Sequence, residues 1–324
     1  MKKIIWICFI LTIPTYKVCL GKKVKKLSSF EVWKKSFIAK AVKRGLPRKF
    51  LLKQFKGVSL DKSIIDKDRN QVTASTTINY KKWMKKWVGS KPNRIDKGKI
   101  HLKNHRKLLE EIEKKYGVDK EIIVSLWGVE TLYGKITGKY KVIRALTTLA
   151  FDKRRRAFFE NELYSAFKII HDGHISNKNF LGSWAGAMGQ CQFMPSSFLK
   201  YAQDYDGDGK KDIWNNKADI FASIANFLKK ANWKQSKTIG LLVKGVRRKR
   251  FSTDSLRSPA EYNKLGLRNL DGTHLDGNWK RKIAIINHKN SPMILRGSNY
   301  ETLMKWNKSS LFAALNIVLM EALK

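Results

Sequence analysis

Residues 118–138, VDKEIIVSLWGVETLYGKITG, constrain the fold most: they read as a helix whose apolar stripe carries a carboxylate. Glu130 lies three residues after Trp127, four after Leu126 and seven after Ile123, so helical periodicity sets it on the face that packs into a core. A carboxyl group held there is partly desolvated. Desolvation disfavours the ionised form and raises the pKa, and a carboxylic acid with a raised pKa can donate a proton near neutral pH. The competing reading is a glutamate at the helix edge, solvated or paired with one of the many lysines.

The chain around this helix has 324 residues, enough for a sizeable core with a smaller second lobe, and its 43% hydrophobic and 29% charged content is globular. Sixty-seven Lys and Arg against 26 Asp and Glu give a net charge of +41, spread along the whole length. An anionic partner follows from that excess, and nucleic acid, an acidic cell-wall polymer or a membrane surface would each supply it. The start, MKKIIWICFILTIPTYKVCLGKK, has two lysines, an apolar run over 4–13 and a short polar stretch ending near Gly21. That is the pattern of a signal peptide at 1–21, with an apolar run too short to span a bilayer comfortably. Its removal leaves Cys191 as the one cysteine, which excludes an internal disulfide. Tyr16, Lys17 and Val18 lack the small residue that usually precedes a lipid-modified cysteine, so Cys19 does not support a lipid anchor. The expectation is an exported protein, peripheral to a membrane at most.

Four regions follow the leader. Residues 22–91 read as an N-terminal helical region, with short amphipathic helices around Gly45 and Pro47, a polar stretch over 59–79 expected to be extended, and Trp83 and Trp87 on one helical face. Residues 92–237 form the main core. Within it 95–116 reads as one long charged helix ended by Gly117, and Asp119 stands where an acidic side chain can cap the Glu130 helix. Residues 152–170 predict a further amphipathic helix with Phe158, Leu163, Ala166, Phe167 and Ile170 inward. Residues 238–298 hold shorter apolar runs broken by Gly, Pro, Asn and Asp, the signature of a small β-containing lobe, and 299–324 recover helical periodicity. The basic run 247–250 reads as a solvated turn, and His171 with His174 as surface residues rather than a zinc pair.

Two motifs lie between the core helices. GSWAGAMGQCQFMPSSF at 182–198 has little side-chain bulk, so its backbone could approach a ligand, or two helices could cross tightly there. DYDGDGKKD at 204–212 alternates Asp204, Asp206 and Asp208, with Gly209 at the sixth position, as in the first half of an EF-hand calcium loop. Lys210 would contribute its carbonyl, and Asp212 could act directly or through water. Asn215 replaces the usual Glu at the twelfth position, and Asp219 is the substitute ligand.

A glycosidase normally places two carboxylates about the scissile bond. No Asp or Glu occurs between Thr131 and Phe151, and Asp152 is the first acidic residue after Glu130. A mechanism with one carboxylate therefore gains weight, with the substrate's own hydroxyl as nucleophile and Glu130 as acid and then base.

Taken together, VSLWGVETLYG at 124–134, the Arg155–Arg156 pair before AFF, the 182–198 segment, the acidic loop and the late KWNKSS resemble family B lytic transglycosylases of bacterial cell walls, from about Pro92 onward. The resemblance implies a mainly α (α+β), lysozyme-like helical core with a small β-containing lobe and a groove for glycan strands. It implies non-hydrolytic cleavage of the bond between N-acetylmuramic acid and N-acetylglucosamine in peptidoglycan, leaving a 1,6-anhydro ring, in the periplasm. By position Glu130 matches the acid/base. Ser183 and Gln192 match groove residues that hydrogen-bond sugars, and Arg155 and Arg156 a basic pair near the lactyl group. Asn307 matches a residue near the catalytic centre, preceded by Trp306 where Tyr is common. Asp204, Asp206, Asp208, Lys210 and Asp219 match a structural calcium loop, with no catalytic cofactor. Gln190 and Cys191 depart from a Tyr-Gly or similar pair, Phe312 from an aromatic with a hydroxyl, and Lys308 from His. The expected partners are glycan strands and other cell-wall enzymes, and the expected state is a monomer. A hydrolytic muramidase is the alternative and would need a second carboxylate. Nucleic-acid binding is disfavoured by the signal peptide and by the lack of a recognition helix.

Overall fold

Amphipathic stretches give a mainly helical molecule in the computed structural model, which describes residues 28–70, 79–89, 93–245, 252–286 and 291–324. The signal peptide expected at 1–21, with Cys8 and Cys19, and the basic run 247–250 lie outside the described residues. The N-terminal helices are α1 (Ser29–Lys43), α2 (Arg48–Gln54), α3 (Lys62–Arg69) and α4 (Tyr80–Val88). Helices α5 (Arg94–Asn104), α6 (Arg106–Tyr116) and α7 (Lys120–Thr131) lead to strand β1 (Tyr140–Lys141), then α8 (Val142–Phe151), α9 (Arg156–His171) and strand β2 (Leu181–Gly182). After α10 (Pro195–Tyr201) and α11 (Lys217–Lys230) come β3 (Gly240–Lys244), α12 (Pro259–Lys264), β4 (Arg268–Asn269), β5 (Ile283–Ile285) and β6 (Met293–Arg296). Helices α13 (Tyr300–Trp306) and α14 (Ser310–Leu323) end the described chain.

Nine of the twelve residues of α7 are buried, so the helix runs through the core instead of lying on it. Helix α14 packs against it through a polar contact in a dry interface. The Ser125 hydroxyl donates to Asn316 Oδ1 at 2.8 Å, and Asn316 Nδ2 donates to the Phe312 carbonyl at 2.9 Å. The antiparallel sheet has the order β4-β3-β6-β5. Its period of two divides the side chains: Leu242 and Ile294 face the main core, whereas Val243, Met293 and Leu295 close a second, smaller core with Tyr262, Leu267 and Ile283. No helix among the described residues is long and apolar enough to cross a membrane.

Four local expectations are corrected. The 59–79 stretch contains α3, because Asp61 caps the Ser63 amide at 3.1 Å, Ile64 is buried, and Asp68 is buried against Arg154 at 2.6 Å and Arg155. The long helix over 95–116 is two helices, since His105 leaves helical geometry at φ −114° and ψ 21°, with its ring stacked on His101 and meeting Phe221. Asp119 does not cap α7. Its carboxylate accepts from Trp233 Nε1 at 2.7 Å and from the Ser236 amide at 2.9 Å, tying the helix start to the segment after α11. In α9 it is Phe159 that is buried, while Phe158 is 48% exposed.

Asn316→Ala strands the Ser125 hydroxyl in the α7–α14 interface, and an unpaired buried donor costs about 1–3 kcal/mol. Urea unfolding should show a loss of that size, and Ser125→Ala with Asn316→Leu should recover most of it.

Candidate active site

Glu130 occupies the last turn of α7, half-buried, and its Oε1 accepts a hydrogen bond from Trp306 Nε1 at 2.7 Å. The indole sits at the end of α13 and is fixed by neighbours: its ring meets Phe227 edge-on at 4.7 Å and Phe193 at 5.4 Å. Burial raises the Glu130 pKa to about 7, and the Trp306 N–H, which favours the ionised carboxylate, opposes that rise. No second carboxylate contributes. Cys191 is fully buried close by; burial pushes its thiol well up, and the charges of Glu130 and Asp219 push it further.

The chain turns sharply after Glu130. Leu132 and Tyr133 adopt left-handed geometry at φ 52° and 60°, which costs about 1–2 kcal/mol per non-glycine residue. Tertiary contacts hold them there. The Tyr133 ring folds back onto Gly128, where any Cβ would overlap it, and its hydroxyl donates to the Arg94 carbonyl at 2.5 Å. Thr131 Oγ1 accepts from the Gly134 amide at 3.0 Å, so the turn carrying Glu130 is clamped from both sides.

The 182–198 segment lies against this turn. Its small residues do not form a helix–helix crossing: Gly189 sits in a turn and packs closely on Ile213, which also lies outside the helices. Ser183 Oγ accepts from the Ala187 amide at 3.0 Å. Gln192, at φ 50°, donates through Nε2 to the carbonyls of Thr137 at 3.0 Å and Gly189 at 2.9 Å, which binds the segment to the residues following α7. Asn307 is exposed directly after Trp306. Arg155 pairs with Asp68, and Arg156 donates to the carbonyls of Ala150 at 3.3 Å and Phe151 at 3.2 Å. Thus Trp306 joins Glu130, Ser183 and Gln192 share one segment, and the arginines hydrogen-bond to α3 and the end of α8. Asp152 is held by Arg69 at 2.7 Å. Sequence reasoning missed Phe193 and Phe227, whose apolar spacing looks like ordinary core, and it marked Gln190 only as a departure.

In the acidic loop, oxygens of Asp204, Asp206 and Asp219 lie within 4.8 Å of one another. Asp219 is wholly buried; burial raises its pKa, and the charges of Asp206 and Asp204 raise it further. Its two oxygens accept the amides of Tyr205 and Asp212, both at 2.7 Å, which fixes them toward the loop. Asp208 instead accepts its own loop's Lys210 amide at 2.8 Å, on the exposed rim. Three converging carboxylates, one desolvated, fit a hard divalent cation with oxygen ligands. A cavity of about 770 Å³ separates this loop from the 134–138 turn and is lined by Thr137, His174, Gln190, Lys210 and Trp214; Glu130 is not part of its wall.

The Transglycosylase SLT domain family matches residues 29–320, nearly all of the described chain. The chain belongs to that family. Over 155 residues it is 37% identical to the membrane-bound lytic murein transglycosylase B of Escherichia coli, a match spanning 48% of this chain and 43% of that protein, less than half its length. SltB3 of Pseudomonas aeruginosa, solved with NAG-NAM-pentapeptide and with NAG-anhNAM-pentapeptide, superposes with a TM-score of 0.81 at 31% identity, over 91% of this chain and 79% of that one. The E. coli lytic transglycosylase Slt35 in complex with calcium gives 0.76 at 27% identity, over 90% and 92%. The fold is therefore the mainly helical, lysozyme-like one of lytic transglycosylases.

A carboxyl whose pKa is raised on folding binds its proton more tightly in the native state, so its contribution to stability falls as pH rises from about 4.5 through about 7. Glu130→Gln removes that penalty. Denaturant unfolding should find the variant more stable than the parent by on the order of 3 kcal/mol at pH ~8, with the difference shrinking toward pH ~4.5.

Proposed function

We propose that this protein is a lytic transglycosylase of peptidoglycan that works with a single carboxyl group, Glu130. The observation that carries the proposal is a carboxyl with a pKa near 7, raised by burial with no second carboxylate contributing, and fixed by one indole N–H. A group poised there is protonated in a useful fraction of molecules at neutral pH and is still a competent base once it has lost its proton. Glu130 donates its proton to the glycosidic oxygen as the bond from the muramic C1 breaks. The substrate's own C6 hydroxyl then attacks C1 and returns its proton to Glu130, closing the 1,6-anhydro ring and restoring the acid. The hydrolytic alternative requires a second carboxylate to activate water, and Asp152 is engaged by Arg69.

Ser183, Gln192, Asn307 and the indole of Trp306 are assigned to the sugar groove, and Arg155 and Arg156 to the peptide-bearing side of the substrate. The complexes of SltB3 with NAG-NAM-pentapeptide and NAG-anhNAM-pentapeptide support that substrate class. Asp204, Asp206 and Asp219, with the carbonyl of Lys210 and with Asp208 at the rim, are assigned to structural calcium, supported by their convergence and by the calcium complex of Slt35. Bound there, calcium would supply charge neutralisation and order to the loop. The net charge of +41 and the signal-peptide pattern expected at 1–21 support export to the periplasm, where the anionic wall polymer is the principal partner.

Digestion of purified peptidoglycan tests the acid/base assignment. Glu130→Gln should abolish release of muropeptides, and retained activity would remove Glu130 from the role. The rate should fall as pH rises through about 7, because the protonated acid is lost. Trp306→Phe deletes the donor that holds the Glu130 pKa down, so this alkaline limb should move to higher pH.

Calcium at about 100 times its dissociation constant stabilises a folded binder by about 2.7 kcal/mol, which raises Tm by several degrees. Thermal unfolding with calcium against chelator should show that rise, and Asp219→Ala should erase it.

A further inference from the structure

Gln190 is buried, 6% exposed, inside a segment built mostly of small and apolar residues. Every hydrogen-bonding group it owns is used, and each bond goes to one of two places. Toward α7, Gln190 Oε1 accepts from Trp127 Nε1 at 2.8 Å, and its backbone carbonyl accepts from Thr131 Oγ1 at 3.1 Å. Trp127 is one turn before Glu130 and Thr131 directly follows it. Toward the acidic loop, its backbone amide donates to the Ile213 carbonyl at 2.8 Å, and Nε2 donates to the Trp214 carbonyl at 2.6 Å. Ile213 and Trp214 directly follow Asp212, whose amide is held by the Asp219 carboxylate at 2.7 Å and whose own carboxylate accepts from the Trp214 amide at 2.9 Å.

The two side-chain bonds demand an amide. An indole N–H only donates and a carbonyl only accepts, so the bridging group must present an acceptor to Trp127 and a donor to Trp214 at once. A carboxylate would turn an oxygen onto the Trp214 carbonyl, and a thioether would leave both partners unpaired in a buried site, at about 1–3 kcal/mol each. Gly134 seals the arrangement, because any side chain there would overlap the Gln190 carboxamide. The route from the cation-binding carboxylates to the turn carrying Glu130 is therefore a continuous set of short, satisfied contacts with one side chain at its centre.

We infer that Gln190 is a positioning residue that couples cation binding in the acidic loop to the order of the last turn of α7. This rests on the calcium reading given above. When Asp219 and its partners bind the cation, the 212–214 backbone they hold is fixed, and Gln190 passes that constraint to Trp127 and Thr131 on either side of Glu130. Coupling of this kind is reciprocal, so a substrate that orders the Glu130 turn tightens calcium binding by the same factor.

The test is hydrogen exchange of the full chain with calcium and with chelator, followed at amides 128–134, alongside calcium binding by calorimetry. In the parent protein calcium should slow exchange there about fivefold or more, the lower end of ordinary coupling. In Gln190→Met and Gln190→Glu the ratio between the calcium and chelator states should collapse to below about twofold, while calcium still binds the loop. A purely structural role would speed exchange equally in both states and leave the ratio intact. Calcium binding to the parent with no change at 128–134, or an unchanged ratio in the folded variants, would overturn the coupling. A parent that binds no calcium would overturn both this and the calcium assignment, and neither result bears on peptidoglycan cleavage.

Discussion

Everything at the site depends on taking one carboxyl group out of water at the end of a helix that is buried nearly all round. Ile122, Ile123, Val124 and Leu126 are fully buried, and each such side chain contributes roughly 1.5–3 kcal/mol. Together they outweigh the penalty of keeping Glu130 desolvated, which at neutral pH is on the order of 3 kcal/mol. The helix can therefore hold its glutamate where solvation alone would never leave it. Among the described residues the hydrogen bond to the Glu130 carboxyl comes from Trp306, a group that donates and cannot accept, so it moderates the proton affinity without competing for the proton.

The surroundings keep that carboxyl in place. A left-handed exit at Leu132 and Tyr133 brings the chain back over Gly128, Arg94 takes the Tyr133 hydroxyl, and Phe193 and Phe227 hold the indole. Helix α14 supports α7 from behind through Ser125 and Asn316. The acidic loop is part of the same construction: Asp219 orients the 205 and 212 amides, and Gln190 links the residues after them to the turn with Glu130. Left-handed geometry at Gln192 is sustained in the same way, by its two bonds to Thr137 and Gly189.

The position of Glu130 was legible because a period of 3.6 residues needs no tertiary information: Ile123, Leu126 and Trp127 alone put it on the apolar stripe. The clustering of acidic groups was legible for a similar reason, since these carboxylates lie within one short stretch, and Asp219 does converge with Asp204 and Asp206. Partners distant in sequence were not. Trp306 is 176 residues from Glu130 and came to notice through resemblance to a family, not through any pattern. Helix α3 was hidden by polarity, because its stability comes from a cap at Asp61 and a buried ion pair at Asp68 rather than from an apolar stripe. Asp119 looks like a helix cap in sequence, yet Trp233 and Ser236 claim its oxygens. Gln190 showed the limit most clearly, since nothing in GSWAGAMGQCQF states that one amide meets donors and acceptors from two separate elements.

The single-carboxyl mechanism proposed for Glu130 makes the substrate itself the source of the attacking oxygen. Digesting purified peptidoglycan in heavy-oxygen water, and weighing the muropeptides by mass spectrometry, tests it most directly. That mechanism yields ring-closed anhydromuramyl ends with no solvent oxygen incorporated. Reducing muramyl ends carrying the heavy isotope would mean that water attacks with the aid of a second base, and would contradict it.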